Sequence, residues 1–526
     1  MAELLSGHPQ DGGRGTVDPA GRTGRVLPEP PTDEEKYSYV TRRVWVLNLT
    51  SMISFTCMAV SQYRLVRHDL WALLLVPFLA FTLLYYLISL RVNLSRGNFD
   101  LAAHRRLVEG WSPPSHPDVD IFLPICGESL DVLANTWSRV WKLVEDYPGR
   151  AVPFVLDDAG STAARRLARR FGFRYASRPD RGRFKKAGNL QYGFRNSGGA
   201  YILILDADFV PRSDLLAELL PYLEEDPRLA IIQSPQYFRV RDEQNWLERG
   251  AGAVQELFYR SVQVSRQNAD AAICVGTCAV YRRAALEENG GTTLIEHSED
   301  VHTGFDLRAL GWDVRYVPLA LSAGMCPDGV EAFHFQQYRW CMGSMSLLKS
   351  RKFWTAPMRT VSRLSYFSGF CYYIHTALFT LAAPVLPITL LLVRPDLFKV
   401  EYAVWLLPSV LYISVIFPYW HRVPYRLEAW SVRALYGWSH FFAILDLLRG
   451  RPEGWRATGS AAGSRRVGRL RWSVLGWSAT TSAAWFALAT WRSLAFSPAD
   501  YGLVVGTGLF SLLVFGRILI QPRACP

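Results

Sequence analysis

The chain of 526 residues is 50% hydrophobic and carries a net charge of +12. Its eight cysteines are scattered, and the closest pair, Cys274 and Cys278, has no second pair or histidine cluster beside it, which excludes a zinc site and leaves reduced, buried thiols. The averages combine two populations, uncharged segments and charge-bearing ones, and membrane topology accounts for the positive balance without nucleic acid.

The opening stretch, residues 1–36, has no apolar core of a signal peptide and is rich in Gly, Pro and Arg, so it is expected to be a disordered cytoplasmic tail. Residues 44–63 and 70–90 carry no charge, and each matches the ~20 helical residues that cross a bilayer. The region 44–90 is therefore expected to hold two transmembrane helices.

From 112 to 350 charges return and apolar runs shorten to strand length. Strands are expected at 118–125, 151–156, 172–176, 200–205, 229–233, 272–281 and 312–317. Helical segments separate most of them, at 130–146, 161–170, 187–197, 212–224, 243–264 and 299–310. This alternation predicts an α/β domain with an open, mostly parallel sheet and helices on both faces. Ligands in such sheets bind beyond the carboxyl ends of the strands. There stand Glu128 after the first strand, Asp157 and Asp158 after the second, and Asp206 and Asp208 after the fourth. Alternation along an extended chain puts Asp206 and Asp208 on one face. Two anions so placed call for a cation, and carboxylate oxygens beside substrate phosphates suit Mg2+ or Mn2+. The intervening RFKKAGNLQYGF sets Lys185, Lys186 and Asn189 near a helix N-terminus, where phosphate is favoured.

Ser298-Glu299-Asp300 opens the next helix, where a serine cap and acids that complement the dipole would be an ordinary start. In EAFHFQQYRWCMGSMSLLKS, Gln336, Arg339 and Trp340 fall at i, i+3 and i+4 on one face of an interfacial helix. Uncharged segments resume at 364–393 and 402–420, giving two spans within 364–420, and two more lie within 473–520. The stretch between, 421–471, contains ten arginines. By the positive-inside rule it is cytoplasmic, together with the 112–350 domain and both termini of a six-span, multi-pass plasma-membrane protein.

Taken together, Asp158, K-A-G-N at 186–189, D-A-D at 206–208, S-E-D at 298–300 and Q-Q-Y-R-W at 336–340 resemble the signature series of processive family 2 glycosyltransferases, and most of all the cellulose synthase group of β-glucan synthases. The resemblance implies a GT-A type, Rossmann-like catalytic domain inserted in a polytopic helical membrane protein. It implies that Glu128 and Asp158 hold the uridine of a UDP-sugar, that Lys186 faces the diphosphate, and that Asp206 contacts nucleotide and metal and Asp208 the metal. Asp300 stands where the family places its general base; Gln336 and Arg339 would line the donor diphosphate, and Trp340 would stack under the terminal acceptor sugar. GWRATGS, 454–460, is similar to a loop that closes over the nucleotide. The expected activity is inverting, processive polymerisation of glucose from UDP-glucose into a cellulose-like β-glucan, with Mg2+ or Mn2+ as cofactor and export of the growing polysaccharide through the bundle, with or without accessory subunits.

Several positions depart from the family pattern: Phe209 replaces a frequent His, A-G replaces G-G after Asp158, and Ser460 stands where a Lys is usual. Two spans are expected before the domain where bacterial cellulose synthases have four, and no cyclic-dinucleotide sensor is expected after the last span. Mixed-linkage or β-1,3-glucan synthases and amino-sugar polymer synthases share nearly all these motifs. A non-processive transferase to a lipid acceptor would use the same D-x-D and a similar base but needs neither Q-x-x-R-W nor this many C-terminal spans. A transporter or receptor would explain the spans but not the acidic sheet edge.

Overall fold

The computed structural model describes residues 26–40, 44–68, 73, 76–93, 99–452 and 465–520. The apolar run VDIFLPI forms β1 (Val119–Ile125), buried at every position, as a strand covered on both faces must be. The strands that follow among the described residues are β2 (Ala151–Asp157), β3 (Arg174–Ala176), β4 (Tyr201–Ile204), β5 (Phe209–Pro211), β6 (Leu229–Gln233), β7 (Tyr237–Phe238), β8 (Ala279–Arg282), β9 (Asp313–Tyr316) and β10 (Ser322–Gly324). Seven of them form one sheet in the order β3-β2-β1-β4-β8-β6-β9. β1 is parallel to β2 and β4, β2 to β3, and β6 to β9. β8 runs antiparallel to both of its neighbours, so the sheet is mostly parallel, as alternation predicts, with one reversed strand. A separate three-stranded sheet has the order β5-β10-β7.

Helices cover the sheet through apolar stripes. Leu130–Asp146 buries Val132, Leu133, Thr136, Trp137, Val140 and Leu143, a three-to-four-residue spacing that keeps one face inward. Trp137 is fully buried at the centre of that contact.

Residues 26–36, expected to belong to a disordered tail, are folded against the domain. Thr32 and Glu35 form a reciprocal cap on the short helix Asp33–Lys36. The Lys36 ammonium is buried between Asp214, at 2.8 Å, and Glu218, whose other oxygen contacts His104. Arg212 donates to the Pro31 carbonyl and to Asp33, Arg239 donates to Glu35, and Tyr39 lies in the core. A Gly/Pro-rich composition does not reveal such charge pairs, because each partner lies far along the chain.

Among the described residues, four helices are long and apolar enough to cross a membrane: Val44–Arg64, Thr360–Val393, Val400–Trp420 and Pro498–Leu519. The second expected span, 70–90, coincides in part with a shorter apolar stretch, Leu79–Val92. The fifth coincides with a π turn, Val474–Ala479, continuing into Thr480–Ala495. Helix Val76–Asn93 packs on Thr360–Ala382, and Thr480–Ala495 on Pro498–Leu519. Within the basic segment 421–471, helix Leu427–Leu448 packs against Trp246–Leu257, Val330–Lys349 and Thr360–Ala382. GWRATGS lies outside the described residues.

The domain grips the end of one long apolar helix. Helix Trp246–Leu257 runs into a π turn, Phe258–Val262, across which Glu256 and Arg260 form a buried pair. Arg260 donates to the Trp420 carbonyl at 3.1 Å, and the Arg422 N–H donates to Glu256 at 2.9 Å. Pairing inside the cluster offsets the cost of burying either charge.

Candidate active site

The carboxyl ends of β1, β2 and β4 converge on one edge, but the carboxylates there divide into two kinds. Asp157 is fully buried. It accepts from the backbone N–H groups of Ala159, Gly160 and Ser161 and from the Tyr175 hydroxyl, at 2.6–2.9 Å. It fixes the turn into helix Thr162–Arg170 and is not available to a ligand as a free acid. Asp158 takes a two-pronged bond from Arg178, at 2.7 and 2.9 Å, and a further bond from the Gly182 N–H. Arg178 is a site residue that motif reading misses, although it sits only eight positions before Lys186. Glu128 accepts from the Cys126 N–H at 2.6 Å. Burial raises its pKa, helped by the negative charge of Asp206 and Asp157.

Asp206 and Asp208 lie in a turn between β4 and β5, not on extended chain; the turn, rather than strand alternation, brings them together. Burial first, and the charge of Asp206 and Glu128 next, raise the Asp208 carboxyl to about 7. Lys186 reaches across to Asp206 at 2.5 Å and lies 3.7 Å from Glu299. Its ammonium also donates to the Gly276 carbonyl at 2.9 Å, and these anions outweigh burial and raise its pKa. Lys186 enters from helix Lys185–Arg195, whose N-cap Phe184 and first residue Lys185 both have positive φ. Asn189 is structural: its amide donates to the Leu156 carbonyl and ties that helix to β2. The Asp206 N–H donates to the Thr277 hydroxyl at 2.9 Å.

Among the described residues no group of three or more His, Cys, Asp or Glu side chains is poised to hold a metal ion. Two hard carboxylates with a raised Asp208 nevertheless form a donor set that a divalent cation would relieve, provided phosphate oxygens and water complete its shell.

On the opposite wall, Glu299 and Asp300 begin helix Glu299–Ala309. The Asp300 carboxyl is raised to about 7 by burial and then by Glu299, while Lys186 opposes the shift. Glu299 is itself buried and raised; it faces Lys186 and was visible in sequence only as the neighbour of Asp300. Helix Val330–Lys349 lies against this turn. The Ser298 hydroxyl donates to the Arg339 carbonyl at 3.2 Å, and His302 Nε2 lies 3.0 Å from the Ser346 hydroxyl. A Cβ at Gly343 would stand 2.2 Å from Ser298, so the approach requires glycine. Burial lowers the pKa of the Arg339 guanidinium, and the charges of Asp206, Glu299 and Asp208 act against that shift. Gln336 and Trp340 share its side of the helix and are half-buried. The buried side carries Tyr338, which donates to Asp446 of helix Leu427–Leu448 at 3.2 Å.

Residues 201–420 match the family described as glycosyl transferase family group 2. The UDP-forming cellulose synthase 1 catalytic subunit of Komagataeibacter xylinus is 33% identical over 242 residues, covering 45% of this chain and 32% of that protein. The UDP-forming cellulose synthase catalytic subunit of Pseudomonas fluorescens (strain SBW25) is 32% identical over 242 residues, with the same coverage. The matched stretch thus spans about a third of these relatives. The mannosyltransferase PcManGT of Pyrobaculum calidifontis, solved in complex with GDP-Man and Mn2+, superposes at a TM-score of 0.46 with 18% identity, over 70% of this chain and 97% of that one. Residues 201–420 are thus similar to family group 2 glycosyltransferases, and part of the chain is similar to cellulose synthase catalytic subunits.

Proposed function

We propose that the chain is an inverting, processive membrane glycosyltransferase that builds a cellulose-like β-glucan from UDP-glucose and exports it through its own helices. The observation that carries this reading is the placement of Lys186, Asp206, Asp208, Glu299 and Asp300 around one sheet edge, roofed by the helix that bears Gln336, Arg339 and Trp340. The relatives named UDP-forming cellulose synthases support glucose and uridine as the donor's parts.

In this reading Asp206 and Asp208 would hold a divalent cation, which would supply Lewis-acid charge for the departing diphosphate. Glu128 and the Asp158–Arg178 pair border the uridine. Lys186, Gln336 and Arg339 face the diphosphate, and Trp340 offers its ring to the acceptor sugar. Asp300 takes the proton from the acceptor hydroxyl as that oxygen bonds to the anomeric carbon and the bond from that carbon to the diphosphate oxygen breaks. Configuration inverts, and UDP leaves.

UDP release by the purified full chain with UDP-glucose tests the reading. Mg2+ or Mn2+ should be required, excess EDTA should stop turnover, and Asp208→Asn should remove the metal-dependent part. Full activity in EDTA overturns it.

A further inference from the structure

Residues 271–275 have no regular secondary structure and 276–278 form a bend, although sequence alternation predicts a strand across 272–281. Unpaired backbone groups in a buried loop are costly, and here three side-chain amides meet them. A primary amide carries one acceptor and a donor group, as a peptide does, so it can stand in for a neighbouring strand. Gln263 accepts from the Ile273 N–H at 3.1 Å and donates to the Ile273 carbonyl at 2.7 Å. Gln233 accepts from the Val275 N–H at 2.9 Å and donates to the same Ile273 carbonyl at 2.5 Å. Gln236 donates to the Val275 carbonyl at 2.9 Å. Gln233 and Gln263 are fully buried and Gln236 is nearly so.

What the loop does next gives the cradle a purpose. Its Gly276 carbonyl receives the Lys186 ammonium, and its Thr277 hydroxyl receives the Asp206 N–H. Gly276, at φ +75°, lies so close to Asp300 that a Cβ there would be 2.7 Å from the carboxylate. Cys278 holds φ +54° without being glycine, a strained conformation that persists only where surrounding contacts over-determine it. One loop therefore touches the Lys186–Asp206 pair and Asp300, which stand on different elements.

We infer that Gln233, Gln236 and Gln263 are positioning residues that fix the distance between the donor-side pair Lys186–Asp206 and Asp300 by holding the loop 271–278. The inference rests on the proposed reading of the site. None of the three glutamines is assigned a contact with donor or acceptor, so their loss should disturb alignment and leave nucleotide binding alone.

Gln263→Met and Gln233→Met keep side-chain volume and remove both bonds; Gln236→Met removes one and serves if the deeper variants do not fold. Hydrogen exchange of the full chain, followed on peptides covering 271–278, should accelerate about tenfold in the two-bond variants, as expected for losing a buried bond pair. UDP affinity measured with Mn2+ should be unchanged. Transfer kcat should fall on the order of 100-fold, the usual effect of a misplacement of about 1 Å, with KM for UDP-glucose unchanged and a larger share of donor lost to water. Because Gln233 and Gln263 hold one carbonyl, the double variant should cost less than the product of the singles. Unaltered loop exchange, or UDP affinity falling in parallel with kcat, overturns the inference. A wild-type chain inert toward UDP-glucose overturns the reading of the site instead, while exchange and UDP binding still judge the cradle.

Discussion

Asp300 is tuned by its surroundings in a direction that suits a base. Burial and the adjacent Glu299 make its anion unfavourable, and the raised pKa of about 7 means that the carboxylate form grows as pH climbs through neutrality. A stronger conjugate base in the same position is a better proton acceptor near its own pKa. Transfer rate should therefore rise with pH through an inflection near 7 and level off above it, measured as kcat/KM between pH 5.5 and 8.5. Asp300→Asn should lose about 100- to 10,000-fold in transfer, lose that inflection, and still bind UDP. Lost UDP binding in a folded Asp300→Asn chain, or an intact inflection, would return Asp300 to the ordinary role of an acid at a helix start.

The approach of Val330–Lys349 to the turn at Ser298 depends on Gly343, because any side chain there meets Ser298 at 2.2 Å. Gly343→Ala should push the helix outward, lowering transfer on the order of 100-fold while leaving the melting temperature nearly unchanged, since the helix is also anchored through Tyr338 to Asp446. A fully active Gly343→Ala chain would show that the helix tolerates displacement. Elements of this kind divide sharply in how far sequence reveals them. The runs of β1, β2, β4 and β6 are legible because burial on both faces makes them continuously apolar, and helix Leu130–Asp146 because burial of one face imposes a helical period. The antiparallel direction of β8, the second sheet β5-β10-β7 and the folding of residues 26–36 depend on partners distant in sequence, which no local period encodes. At the site, the acids after the strands were legible as chemistry. Which of them is tied up was not: Asp157 spends its oxygens on backbone N–H groups, and Asp158 spends its own on Arg178.

The α/β domain and the apolar helices are joined at two places: Glu256 and Arg260 hold the end of Val400–Trp420, and Val330–Lys349 leads through Arg351–Thr355 into Thr360–Val393. Trp340 lies on helix Val330–Lys349, one residue beyond Arg339, and is half-buried. An indole binds the apolar C–H face of a sugar and leaves its hydroxyls free, so an acceptor stacked there would present its terminal hydroxyl toward Asp300 and its older units toward the bundle. In vesicles with the catalytic domain facing outward, polymer should collect in the lumen and resist added glucanase until detergent is present. Trp340→Ala should shorten or abolish that polymer and spare donor hydrolysis, because only the acceptor loses its seat. Product that is a single sugar on a lipid, or polymer open to glucanase without detergent, would make the chain a non-processive transferase and Trp340 a membrane anchor. Equal loss of hydrolysis and polymer in Trp340→Ala would place the indole on the donor side of the site instead.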